Sequence, residues 1–477
     1  MGLTTLYVDF NSYFASAEQQ LTPRLRGRPI VVAPVTSDSG CCIAVSVQAK
    51  KAGIKTGMRV FEARRLCPEV EVVDSRPGEY VKMHHRLLEA IETCLPIEAV
   101  CSIDEVSCKL GAGQREEAQA TALAQRVKAA VRQRVGEVMT CSIGLAPNRF
   151  LAKVATDMHK PDGLVVIREA ELPRCLFGLE LRDLPGVGPN MEKRLRAGGV
   201  NSVEELCARS ENQMEQLWES VVGRRWYRWL RGEDFDEGPP KKRSIGHQHV
   251  LAPEKRDEAQ ARAIAQRLLL KAAARMRSLG YWAGRVTVGV SLEPVGWSRG
   301  RGAAAAGNGG GGSGGGGGGE KGRGEGKFNV GTFIRDGGRH AETAKTENAP
   351  PVSGGVSIGW GGARRESWHA TAPLPHGCQD SLRLLEEFAR LWSQRPAGRV
   401  RLVDVTFSEL IKESDVTPPL FEAERKRVQL SKAMDEINSR YGRHAVYTGG
   451  VHEVRDQARG GIAFRSIPDL DFSDSVE

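Results

Sequence analysis

Residues 5–19 read TLYVDFNSYFASAEQ, and the fold turns on how that run divides. Residues 5–8 form a short β-prone apolar run that ends on an acid, Asp9. Residues 11–20 then take a helical period, with Tyr13, Phe14, Ala17 and Leu21 on the apolar face. Further out, 30–35 and 42–45 read as strands, and 60–67 as a helix closed by Pro68. Residues 80–94 are helical, with Leu87, Leu88, Ile91 and Leu95 at helical spacing. Two arms of a tight hairpin, 99–103 and 106–110, flank Asp104 and Glu105. A helix over 116–135 and a strand over 139–145 follow. With 11–77 set aside as an insertion, the order is β-α-β-β-α-β. That is the ferredoxin-like arrangement of an α+β protein, an antiparallel sheet with helices on one face.

The chain has 477 residues, too many for one ordinary domain. Residues 183–235 change to short helical pieces and Gly turns. Trp218, Trp226, Tyr227 and Trp229 gather there among arginines, and the tryptophans read as core, not as a base-stacking platform. A second α+β unit starts at Ser244, with strands at 245–250 and 286–292 around a helix over 259–276. It resumes at 364–374, with a helix over 381–392 and a strand over 400–407. Between its halves, 12 of the 18 residues from 302 to 319 are glycine, so 298–357 is expected to be a flexible insertion. Past 412 a tail with one helix, 422–441, is expected.

Lys and Arg number 68 against 59 Asp and Glu, a net charge of +9 that leans toward a polyanionic partner. No apolar run approaches the ~20 residues of a membrane-spanning helix. The first residues lack the basic and apolar regions of a signal peptide. Ten cysteines without a C-x-x-C pair read as reduced thiols, so a cytoplasmic location is expected, without disulfides or structural zinc.

In a split βαβ sheet the first strand and the central hairpin are neighbours, so Asp9, Asp104 and Glu105 converge. Hard oxygen ligands at one sheet edge suit Mg²⁺ together with substrate phosphates, and a pair of such ions suits phosphoryl transfer. The blander alternative makes Asp9 a helix cap and Asp104–Glu105 a solvated turn.

The run at 5–19, CSIDEVSC at 101–108 and CSIGLAPNRFLAKVATDMHKPDGLVVI at 141–167 together resemble the Y-family (translesion) DNA polymerases of the DinB, or polymerase IV, branch. The resemblance extends with short gaps from residue 3 to about 412. It implies a right-hand polymerase: a palm from 1–24 and 78–167, fingers from 25–77, and a thumb with a helix-hairpin-helix from 168–238. A little finger from 241–412 and a tail from 413–477 complete it. Carried over, Asp9, Asp104, Glu105 and the Phe10 carbonyl hold two Mg²⁺ ions, Phe14 is the steric gate against ribonucleotides, and Lys160 meets the triphosphate. Implied partners are primer-template DNA and dNTPs; a monomer is expected.

The sequence departs from the family at Val47-Gln48-Ala49-Lys50, where relatives carry a Tyr-x-Ala-Arg grip on the triphosphate. Lys50 keeps the charge but not the bidentate fork, which Lys51 and Arg59 would have to offset. In Leu184-Pro-Gly-Val-Gly-Pro189, Gly186 and Gly188 expose backbone N–H groups for a DNA phosphate, with Lys193 and Arg194 beside them. Lys241, Lys242 and Arg243 would contact phosphates at the head of the little finger. Leu420 and Phe421 fit a sliding-clamp peptide that lacks its glutamine; the alternative packs them back as a staple on the next helix. No second acidic cluster suggests a proofreading exonuclease. Two other readings stay open: a non-catalytic scaffold of this family, favoured by Val47 and Lys50, and a nucleotidyl cyclase, disfavoured by the helix-hairpin-helix.

Overall fold

The computed structural model describes residues 2–235, 243–293, 352–358, 364–442 and 444–455. The described residues divide into two units, 2–235 and those from 243 onward.

The first unit opens with β1 (Thr5–Phe10), α1 (Tyr13–Leu21), β2 (Ile30–Ala33), β3 (Ala44–Val45), α2 (Val47–Lys51), α3 (Val60–Leu66) and β4 (Glu71–Asp74). It continues with α4 (Pro77–Glu92), β5 (Ala99–Ser102), β6 (Glu105–Lys109), α5 (Glu117–Arg134), β7 (Cys141–Ala146), α6 (Arg149–Met158) and β8 (Leu164–Val166). The main sheet has the order β5-β6-β1-β7-β8. Its first four strands reproduce the ferredoxin-like order, and β8 is added parallel to β7.

Alternation along the strands decides which helix each residue meets. Leu6, Val8 and Phe10 of β1, Val106 and Cys108 of β6, and Ile143 and Leu145 of β7 join α1, α4 and α5 in one apolar core. Tyr7 and Ala146 point the other way, into a core shared with α6. The expectation of helices on one face is therefore corrected. The strand β7, helix α6 and strand β8 form a parallel crossover, and such a crossover lays its helix on the sheet. Gly144 permits the contact: a Cβ there would lie 2.0 Å from the Ala152 carbonyl oxygen.

A three-stranded sheet, β3-β2-β4, with α2 and α3 makes a small separate core around Val31, Val45, Ala49 and Val60. The rest of the unit is α7 (Pro189–Ala197), α8 (Val203–Cys207), α9 (Glu211–Trp218) and α10 (Val222–Trp229). The tryptophans here are core, as expected. Trp226 is buried, and Phe150 of α6 packs against both it and Trp229, with ring centroids at 4.9 and 5.3 Å.

The second unit contains β9 (Ser244–Val250), α11 (Glu258–Ser278), β10 (Tyr281–Leu292), β11 (Val352–Ile358), β12 (Arg364–Cys378), α12 (Ser381–Trp392), β13 (Val400–Lys412) and α13 (Glu422–Tyr441). Its sheet runs β11-β12-β10-β13-β9, with α11 and α12 on the apolar face. Most of the expected insertion lies outside the described residues. Its end does not behave as an insertion: β11 pairs with β12, Val352 opposite Ala370. Among the described residues no helix is long and apolar enough to cross a membrane, and all ten cysteines are free thiols.

Candidate active site

Strand β1 runs on to Phe10, so Asp9 lies inside the strand and not past its end. The antiparallel register sets Asp9 directly opposite Glu105, the first residue of β6. Both therefore face α6, on the side of Tyr7. Asp104 sits in the two-residue turn between β5 and β6, and its carbonyl accepts a 2.9 Å bond from the Phe10 N–H. Ser102 Oγ donates to Asp104 Oδ1 at 2.5 Å. A buried histidine on α4 fixes the turn from below: His84 Nδ1 donates to the Ile103 carbonyl at 2.8 Å. Burial pushes the His84 imidazole down to about 4, so it is neutral near pH 7.

Helix α6 brings the countercharges. Lys153 Nζ pairs with Asp9, with Glu105 at 2.9 Å and with Asp157 at 3.4 Å. Lys160 Nζ, just past the helix, lies 2.7 Å from Asp9 Oδ1 and 2.9 Å from Asp157 Oδ1. Tyr7 donates to Glu105 Oε2 at 3.0 Å, and the Lys153 ammonium rides 5.9 Å above its ring. Burial opposes the charge on Lys153, but Asp9, Glu105 and Asp157 outweigh it and hold the ammonium well above the usual lysine range. Burial, reinforced by Asp9 and Glu105, raises Asp104 to about 6.

A divalent ion suits this donor set. The carboxylates offer hard oxygens at one edge, and a cation relieves the mutual repulsion that adds to burial in raising Asp104. Among the described residues, however, no three Asp, Glu, His or Cys side chains are drawn tightly enough together to cage an ion as they stand. The acids share an edge, and Lys153 bridges two of them.

Phe14 is buried on α1 and stacks on Tyr80 of α4, with centroids 4.5 Å apart and planes at 18°. Tyr80 in turn donates to Glu18 at 2.8 Å. Lys50 is exposed on α2, beside half-buried Val47. Arg59 is engaged elsewhere, its guanidinium donating to the Ser39 carbonyl at 2.6 Å.

Gly186 takes φ 101°, which favours glycine, and Gly188 caps α7 with Pro189 at the first helical position. The preceding helix of the hairpin is a single 3₁₀ turn, Leu181–Asp183, cut short before Pro185. Lys193 is exposed, whereas Arg194 turns inward to the Trp218 carbonyl at 3.3 Å. Arg243 is exposed; Lys241 and Lys242 lie outside the described residues. Leu420 and Phe421 are 80% and 67% exposed, so they are not the packed staple of the alternative reading.

Comparison with known proteins fits this geometry. Residues 8–157 match the impB/mucB/samB family, and 182–234 match the DNA polymerase-iota thumb domain. DNA polymerase IV of Moorella thermoacetica is 36% identical over 294 residues, which span 60% of this chain and 72% of that protein. The chain belongs to the Y-family DNA polymerases, in the DinB branch. DNA polymerase IV of Bacillus velezensis aligns over 97% of this chain and 96% of its own length at 23% identity. A solved Y-family polymerase chimera of Dbh and Dpo4 shares the fold, with TM-score 0.61 at 20% identity, covering 86% of this chain and 99% of its own. The protein is thus a DNA-directed DNA polymerase. Lys153, Asp157 and His84 are the site residues that sequence reading missed. The helical spacing of Lys153 and Asp157 was available within the third motif; nothing local marks His84.

Proposed function

We propose that the protein extends primers across damaged template bases by nucleotidyl transfer at the edge carrying Asp9, Asp104 and Glu105. The observation that carries this is the cross-strand pairing of Asp9 with Glu105, beside Asp104 in the hairpin turn. Asp9, Asp104, Glu105 and the Phe10 carbonyl would hold two Mg²⁺ ions. Bound Mg²⁺ supplies activation of the primer 3′-hydroxyl and stabilisation of the phosphate charge. Ser102 orients the Asp104 carboxylate, and His84 fixes the turn that presents it. Lys160 offers a point charge to the triphosphate, with Lys50 contributing more weakly than an arginine would. Phe14 closes the space a ribose 2′-hydroxyl needs.

The assignment 1–24 and 78–167 palm, 25–77 fingers, 168–238 thumb, 241–412 little finger and 413–477 tail is part of this proposal. So are phosphate contacts by the Gly186 and Gly188 amides, Lys193, Arg194, Lys241, Lys242 and Arg243, a cytoplasmic monomer, and synthesis without proofreading. Leu420 and Phe421 would anchor a sliding clamp. The test is primer extension on an undamaged template. Asp104→Ala should reduce extension by about a thousandfold or more, while DNA affinity changes only a few-fold. Robust synthesis by the variant would remove these acids from the mechanism. No synthesis by the intact protein would favour the non-catalytic scaffold.

A further inference from the structure

Two aspartates and two lysines alternate around the candidate active site. Lys160 meets Oδ1 of Asp9 and Oδ1 of Asp157. Lys153 meets the Oδ2 atoms of the same two residues and also Glu105. Asp9 belongs to β1, but Asp157 lies on α6, four residues after Lys153 and three before Lys160. The i,i+4 spacing on α6 keeps Asp157 within reach of Lys153 whatever occupies the strand edge, and Lys160 reaches it from the turn that follows the helix.

We propose that Asp157 is a positioning residue: a standing acceptor that takes Lys153 and Lys160 when a divalent cation replaces them on Asp9 and Glu105. The inference rests on the reading of Asp9, Asp104 and Glu105 as the ion site. A cation binding Asp9 must displace two ammonium groups. Lys153 is only 16% exposed in its side chain, so an ammonium displaced with nowhere to go would be buried and unpaired, a costly state. Asp157 removes that cost, because each lysine already touches one of its oxygens and needs only to shift toward it. The same transfer leaves Lys160 held by Asp157, still beside the acids. Asp157 has no place among the motif residues read as metal ligands, and its role is to make their release inexpensive.

Mn²⁺ binding to the full-length protein without DNA, followed by electron paramagnetic resonance, tests this directly. Asp157→Asn should weaken Mn²⁺ by about tenfold, since both lysines then remain on Asp9 and Glu105. Asp157→Glu should recover most of that loss. Lys153→Met should tighten Mn²⁺ by a similar factor, because one competing cation is gone. In steady-state extension Asp157→Asn should raise the Mg²⁺ concentration for half-maximal rate by the same factor as the Mn²⁺ dissociation constant. Wild-type Mn²⁺ affinity in Asp157→Asn overturns the proposal. So does unchanged or weaker affinity in a folded Lys153→Met protein; if that variant does not fold, the near-isosteric Asp157→Asn decides alone. Asp104→Ala separates the two levels: if it binds Mn²⁺ as wild type does, the reading of the acids fails, and the proposal with it.

Discussion

Phe14 is both a core residue and the proposed gate, and the two duties constrain how it can be tested. Its ring is 5% exposed and stacked on Tyr80, so truncation to alanine would cost about 3–5 kcal/mol as a cavity. Phe14→Leu keeps most of the volume while opening the space near the sugar. It should raise ribonucleotide incorporation on the order of tenfold or more with dNTP use retained; single-nucleotide insertion with paired ATP and dATP reads the ratio. An unchanged ratio would leave Phe14 a packing residue. His84 gives a stability prediction of definite sign. Its pKa is about 4 folded and roughly 6.5 unfolded, so protons favour the unfolded chain between those values. Stability should fall as pH drops from about 6.5 to about 4, by up to about 3 kcal/mol from this group. His247, also lowered by burial, to about 3, adds its own loss. His84→Gln keeps an N–H donor and cannot titrate. Its stability, from urea unfolding at several pH values, should decline less steeply than that of the wild type. Parallel curves would show that His84 does not stay neutral in the fold.

Helix α6 carries the cationic half of the site, and its placement depends on one residue at its start. Asn148 caps the helix, its Oδ1 accepting from Leu151 N at 2.8 Å, while its Nδ2 donates to the Trp229 and Glu233 carbonyls at 2.9 and 3.0 Å. Asn148→Ala removes the cap and both Nδ2 bonds, a loss of about 1–3 kcal/mol. Thermal unfolding should show the drop, and extension should weaken with it because Lys153 and Lys160 lose their register against Asp9. A stable, fully active variant would show that packing against Gly144 alone locates α6. Local pattern made the elements on either side legible. Short apolar β-prone runs gave β1, β6 and β7, and the acids within or beside them gave the site. The second layer was not legible, because a single strand does not say which of its faces a later helix will cover. Lys153 on α6 looks like ordinary surface charge until the parallel crossover lays it against Asp9. Likewise β11, rich in glycine and following a low-complexity tract, has no apolar alternation to announce a strand.

Across the whole molecule, the two units differ in what they leave exposed. The first holds a cluster of acids and lysines at a buried edge, while the second carries a helix, α13, that is polar and mostly exposed, is preceded by two large apolar side chains in solvent, and is followed by a segment that returns Val451 and Val454 to the core. Leu420 and Phe421 follow Pro418 and Pro419. The prolines line a cavity of about 220 Å³ together with Trp282, Val416 and Val428. The fixed φ of the two prolines restricts the backbone just before the two anchors, which lowers the ordering entropy lost on binding. Arg425 closes the other side by donating to the Leu420 carbonyl at 2.9 Å. Such a presentation fits a peptide held ready for a hydrophobic clamp pocket, although the missing glutamine removes one polar anchor and limits affinity to about the micromolar range. In a pull-down with the cognate clamp, Leu420→Ala with Phe421→Ala should lose most of the bound polymerase. Extension of a short primer-template without clamp should be unaffected, because neither side chain has a part in the proposed mechanism. Equal retention of both proteins on the clamp would assign these side chains to another partner surface and leave the polymerase assignment intact.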